Sequence, residues 1–195
     1  MTTRYILAGG NDRSTKTYWE NLAKVIEHDK PLRVLSCMFA REPERWKDLH
    51  QEFNKFFKLA FGEKMTSELA DPKYFREQIS IADVVYLHGG DTKRLKELLA
   101  PFKNLQKMFE GKTVIGSSAG AQFLSRQYWS CGTRKTGMGS GLTPINTIVH
   151  YGSDFGSDEP RGPIDWEKAE QALQSVVGNE KVTRLPEGQF VKVEA

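Results

Sequence analysis

Lys112-Thr-Val-Ile-Gly-Ser-Ser-Ala-Gly-Ala-Gln-Phe-Leu124 is the stretch on which the reading of this chain turns. An apolar, β-branched run enters Gly116-Ser117-Ser118-Ala119-Gly120, and a helix-compatible segment follows. Strand, tight turn and helix around G-x-S-x-G make the pattern of a nucleophile elbow, with Ser118 at its tip. The chemistry explains the residue types. A hydroxyl attacks well only when it stands clear of the sheet, beside a base, with backbone N–H groups waiting for the oxyanion. The tip residue is forced into a strained backbone conformation, and small flanking residues let neighbouring segments come close. The same five residues would also serve as a plain flexible turn, so the rest of the chain has to decide.

Outward from the elbow, strand-like and helix-like periods alternate. Residues 4–8 read as a first strand ending in Gly9-Gly10, and residues 15–27 as a helix with Trp19, Leu22, Ala23 and Ile26 on one stripe. Strands are expected at 32–36, near 65–69 and at 84–87. Between them the pattern predicts a long amphipathic helix over 43–61 and another from Asp71-Pro72 to about 82, with Pro72 in its first turn. Helices are expected at 92–99, 101–109 and 164–177. The glycine-rich stretch 131–141 reads as a surface loop. Residues 182–185 and 189–193 read as two strands joined at Pro186-Glu187-Gly188 and paired as a hairpin. Such alternation predicts one α/β domain over 1–195, a three-layer sandwich with a mostly parallel central sheet. Ligands of such sheets bind beyond the carboxyl ends of the strands, where His88-Gly-Gly-Asp91 and the elbow both fall.

Composition narrows the function classes. The chain has 195 residues, 38% hydrophobic and 27% charged, with a net charge of only +3. Basic and acidic residues are interspersed, so no basic stripe for nucleic acid stands out. No apolar run reaches membrane-spanning length, and the N-terminal stretch reads as a strand rather than a signal peptide. Cys37 and Cys131 form no C-x-x-C pair, which leaves zinc or redox motifs unsupported. A cytoplasmic location without metal or organic cofactor is expected. A homodimer is compatible with the sequence.

Three blocks, in order, resemble the serine peptidase family of dipeptidase E and cyanophycinase. They are Val84-Val-Tyr-Leu-His-Gly-Gly-Asp-Thr-Lys-Arg-Leu95, Gly116-Ser-Ser-Ala-Gly-Ala121 and Leu142-Thr-Pro-Ile-Asn-Thr-Ile-Val-His-Tyr151. Leu185-Pro-Glu-Gly-Gln189 is similar to that family's C-terminal hairpin. The resemblance spans nearly the whole chain and implies a class I glutamine amidotransferase-like (flavodoxin-like) α/β sandwich. It implies Ser118 as nucleophile and His150 as base. The N–H of Ala119 and one from Gly89 or Gly90 would form the oxyanion hole, and a short peptide would be the substrate.

The resemblance is imperfect in two places. His88-Gly-Gly-Asp91 stands where the family has Gly-Gly-Gly-Asn, which puts an imidazole and a carboxylate at the rim. The dipeptidase's orienting acid lies in the loop after the elbow helix, yet residues 125–147 contain no Asp or Glu. Asp154, Asp158 and Asp91 are the candidates for a third member, and a backbone carbonyl or Ser/Thr hydroxyl is the alternative. Arg161, Arg134 and His88 are the candidate substrate contacts, either arginine being able to clamp an acidic peptide's carboxylate. The missing acid motivates a rival reading, a catalytically weakened family member that binds a small molecule or peptide. An α/β-hydrolase esterase is disfavoured, because its acid precedes the histidine and no acid lies between Ser118 and His150. A glutamine amidotransferase is disfavoured because its elbow nucleophile is cysteine.

Overall fold

Strand β1 (Arg4–Ala8) shows why the chain builds layers. Tyr5 and Leu7 pack into one hydrophobic cluster and Ile6 and Ala8 into another, so the period of two feeds both faces of the sheet. Strand β2 (Arg33–Cys37), β4 (Val84–Leu87) and β5 (Thr113–Ser117) do the same, with Leu35, Val85, Leu87 and Val114 opposite Val34, Val84, Tyr86 and Ile115. The computed structural model describes residues 2–10, 16–26, 28 and 30–194.

With β3 (Thr66–Leu69) and β10 (Phe190–Glu194), these strands form a six-stranded sheet in the order β10-β1-β5-β4-β2-β3. All neighbours run parallel except β10, which is antiparallel to β1. Helices α1 (Lys16–Val25) and α2 (Trp46–Phe61) cover one face, α2 following a 3₁₀ turn at Pro43–Arg45. Trp19 of α1 is fully buried against Phe53, Phe56 and Phe57 of α2 and Tyr86 of β4. Aromatic pairs of this kind contribute roughly 0.5–1.5 kcal/mol each beyond area burial. The other face is covered by α3 (Phe75–Ile81), α4 (Thr92–Leu99), α5 (Leu105–Met108) and α6 (Ala119–Leu124). The fold is the expected α/β sandwich with a mostly parallel central sheet and flanking helices.

A second sheet, in the order β7-β6-β8-β9, consists of β6 (Gln127–Ser130), β7 (Lys135–Met138), β8 (Asn146–Val149) and β9 (Val182–Leu185). Helix α7 (Trp166–Val177) packs on it through Ala169 and Leu173. Two sequence expectations fail here. The glycine-rich stretch is not all loop, because Lys135–Met138 pairs antiparallel with β6. The terminal hairpin does not exist: β9 pairs parallel with β8, whereas β10 pairs with β1 of the other sheet. Alternation fixes which face of a strand is apolar and says nothing about its partner. The turn at Pro186-Glu187-Gly188 therefore crosses from one sheet to the other, and that crossing builds the site.

Helix α3 begins at Phe75 rather than at Pro72. The Asp71 side chain accepts from the Lys73 N–H at 2.8 Å and closes a turn ahead of the helix. Of the expected first helix, residues 15 and 27 lie outside the described residues. Among the described residues no helix is long and apolar enough to cross a membrane.

Candidate active site

The carboxyl ends of three adjacent strands, β1, β5 and β4, meet in one cleft. Ser118 sits between β5 and α6 with φ 50° and ψ −106°, a conformation costing on the order of 1–3 kcal/mol that the surroundings must impose. They do so by stitching and by close packing. The Ser118 N–H donates to the Ala8 carbonyl at the end of β1 (3.0 Å), and the Gln122 N–H donates to the Ser118 carbonyl to start α6 (2.9 Å). At Gly120 a Cβ would come within 2.2 Å of the Leu87 carbonyl oxygen, so the elbow helix lies directly on β4. G-x-S-x-G is thus a packing requirement as well as a turn.

The Ser118 hydroxyl lies 2.8 Å from Nε2 of His150, the residue after β8, which itself has φ 56°. Nδ1 of the same ring lies 2.7 Å from Oε1 of Glu187. Serine, histidine and glutamate therefore stand in file, with a carboxylate able to hold the proton on Nδ1 and leave Nε2 free to accept from the serine. Three backbone bonds fix this line to the end of β1, and a fourth ties the segment after β8 to β9. The His150 N–H donates to the Gly9 carbonyl (2.8 Å) and the Gly188 N–H to the Gly10 carbonyl (2.8 Å). The Gly9 N–H donates to the Gln189 carbonyl (3.0 Å) and the Tyr151 N–H to the Leu185 carbonyl (3.2 Å). Gly10, at φ 133°, backs the imidazole: a Cβ there would sit 2.5 Å from His150 Cε1. Phe155 stacks on the ring at 4.3 Å between centroids and 18° between planes. Burial by these neighbours pulls the His150 pKa below its ordinary value, and Glu187 pulls it part of the way back up.

Each sequence candidate can now be located. Gly89 packs beside Ser118, a Cβ there falling 3.1 Å from Ser118 Cβ. Ala119 is the first residue of α6, ahead of the first helical hydrogen bond, so its N–H precedes the ladder. Gly90 lines the cleft with Ser118 and His150. None of the three acids considered for the third position touches the imidazole. Asp91 is the N-cap of α4, accepting from the N–H groups of Lys93 (2.7 Å) and Arg94 (3.2 Å). Asp154 and Asp158 are exposed in the segment after His150. The carboxylate that does contact it is Glu187, in what the sequence presents as an ordinary hairpin turn.

The proposed substrate contacts also lie elsewhere. His88 is buried, bonded to the Ser36 hydroxyl (2.9 Å) and packed against Phe53 and Tyr86, because positions 84, 86 and 88 share the α2 face of the sheet. That parity was readable from the sequence. Arg134 donates to the carbonyls of Arg161 and Gly162. Arg161 donates to the Gly132 carbonyl (2.8 Å) and pairs with Glu159, so both arginines tie loops together and neither lines the cleft.

The cleft has a volume of about 460 Å³. Asp91, Thr92, Lys93, Gln122, Tyr128 and the hydroxyls of Ser130, Thr133 and Thr136 are its polar lining, and Val149 and Phe155 its apolar lining. Cys131 also lines it, but burial pushes its thiol up to about 12, and its Sγ donates to the Val149 carbonyl. No group of three or more His, Cys, Asp or Glu is gathered for a metal among the described residues.

Fold and site together define an α/β protein with a hydrogen-bonded Ser–His–Glu line at a strained elbow. Residues 6–195 match the family model of peptidase family S51, and the chain belongs to that family. Among solved structures it is similar to a 1.5 Å crystal structure of a "Putative Peptidase E Protein" from Listeria monocytogenes EGD-e. The TM-score is 0.67 at 15% identity, over 100% of this chain and 95% of that one, a likeness in fold. No curated protein gives a match.

Proposed function

We propose that this protein is a serine-type peptidase that cleaves short peptides through an acyl-enzyme on Ser118. The observation behind this reading is the continuous line from the Ser118 hydroxyl through His150 to Glu187, at 2.8 and 2.7 Å. Ser118 Oγ attacks the scissile carbonyl carbon while its proton passes to His150 Nε2. The developing oxyanion is held by the Ala119 N–H and an N–H of the Gly89-Gly90 turn. His150 then gives its proton to the leaving amine, the C–N bond breaks and an ester to Ser118 remains. Water, deprotonated by His150, attacks that ester, and the proton returns to Ser118 as the acid leaves. Glu187 keeps the imidazole in the right tautomer and stabilises its transient positive charge. A cleft of about 460 Å³ suits a peptide of a few residues.

A missing acid motivates the weakened-binder reading, and the Glu187 carboxylate 2.7 Å from His150 Nδ1 favours the enzyme instead. A fluorophosphonate probe tests the proposal. Wild-type protein is expected to be labelled, Ser118→Ala not at all, and His150→Ala far more slowly. Unlabelled, fully folded wild-type protein, or undiminished labelling of Ser118→Ala, would overturn it.

A further inference from the structure

The two sides of the cleft differ in chemistry, and Phe155 marks the difference. Its ring lies nearly parallel on the His150 imidazole and still presents 39% of its surface to solvent as part of the cleft wall. Val149, one residue before His150, is the other large apolar member of that wall. Hydroxyls, the Gln122 amide, the Asp91 carboxylate and Lys93 make up most of the rest, with Cys131 among them.

The reaction gives these sides different roles, if the Ser118–His150 reading above holds, and this inference rests on it. The carbonyl oxygen must point to Ala119 and the Gly89-Gly90 turn. The leaving amine must lie against His150 Nε2, which supplies its proton. The residue carrying that amine therefore extends along the His150 side, and Phe155 is the first side chain stacked there. We propose that Phe155 is a specificity-determining residue, forming the wall of the leaving-side subsite so that preferred peptides carry an apolar residue directly after the scissile bond.

The stack also predicts a positioning effect. Phe155 keeps water off one face of the imidazole, whose other titratable and charged neighbours are Ser118 and Glu187 in direct contact and Asp91, Lys93, Tyr128 and Cys131 along the cleft. Removing the ring hydrates His150 and favours its charged form.

The test uses the full chain and dipeptide mixtures with every residue first and Leu, Phe, Gly or Glu second. Wild-type kcat/KM is expected to favour Leu and Phe over Gly and Glu by roughly 10-fold or more, the range an apolar pocket supplies. Phe155→Ala should shrink that ratio to about 2-fold and move the acid limb of fluorophosphonate labelling to higher pH, while Phe155→Leu preserves the ratio. An unchanged ratio in Phe155→Ala, or a wild-type preference for Gly or Glu, overturns the inference. Normal Ser118 labelling without cleavage of any mixture also overturns it. Absence of Ser118-dependent labelling in wild-type protein instead brings down the reading on which it rests, and this inference with it.

Discussion

Replacing Glu187 by glutamine probes the arrangement most directly, because the side chain keeps its shape and loses only its charge. Two unit charges about 4 Å apart at an effective dielectric of about 20 attract by roughly 4 kcal/mol. The Glu187 side chain is 36% exposed, and solvent screening lowers that ceiling to about 3 kcal/mol. At 1.36 kcal/mol per tenfold, loss of the imidazolium's partner alone slows acylation by about 10²-fold. Glutamine can also turn its NH₂ toward Nδ1 and hold the proton on Nε2, which then cannot accept from Ser118. Enforcing the wrong tautomer in a serine triad costs about 10⁴-fold. The expected loss lies between these figures. It is read as the second-order rate of fluorophosphonate labelling, with thermal melting to confirm folding. Because Glu187 raises the His150 pKa, its removal should also move the acid limb of that rate to lower pH. Labelling within 10-fold of wild type, or an acid limb moving upward, would refute the role of Glu187.

The wild-type pH profile follows from the same site. Burial holds His150 below its ordinary value, so the neutral base is the major form at pH 7. Labelling should rise through an inflection below about 6.5 and then stay flat to pH 8. An inflection above 7 in stopped-time labelling would contradict this environment. Gly10→Ala places a methyl against the His150 ring at a backbone angle that costs alanine about 1–3 kcal/mol. A displacement of the imidazole by about 1 Å should slow labelling on the order of 10²-fold, alongside a lower melting temperature. Both cysteines are pushed up to about 12 by burial, so iodoacetamide at pH 7.5 should leave the folded protein unmodified by mass and its fluorophosphonate labelling unchanged.

Much of this was legible in one dimension. The elbow is written in contiguous residues, because its glycines, serine and flanking apolar run are all local requirements, and Ser118 takes the strained backbone such a turn needs. The strand cores of β1, β4 and β5 follow from apolar runs buried on both sides. The 92–99 helix follows from a period of 3.6 behind the Asp91 cap. The face that His88 takes follows from its parity with Val84 and Tyr86, although its place in the sequence suggested the rim.

The carboxylate beside His150 had no such local signature. Glu187 stands 37 residues from His150 in a turn whose sequence fits any hairpin. Asp154 and Asp158 are close to the histidine in sequence, yet both are exposed and neither bonds the imidazole. Likewise Arg134 and Arg161, free in the sequence, are occupied by carbonyls of the loops they bridge. The amino-acid order alone marked the layers, the Ser118 elbow and His150, since backbone propensity and apolar period act between near neighbours. Which strand pairs with which, and so where the turn after β9 lands, is settled by long-range packing of two sheets around Gly9-Gly10. That pairing alone brings a carboxylate to the far side of the imidazole.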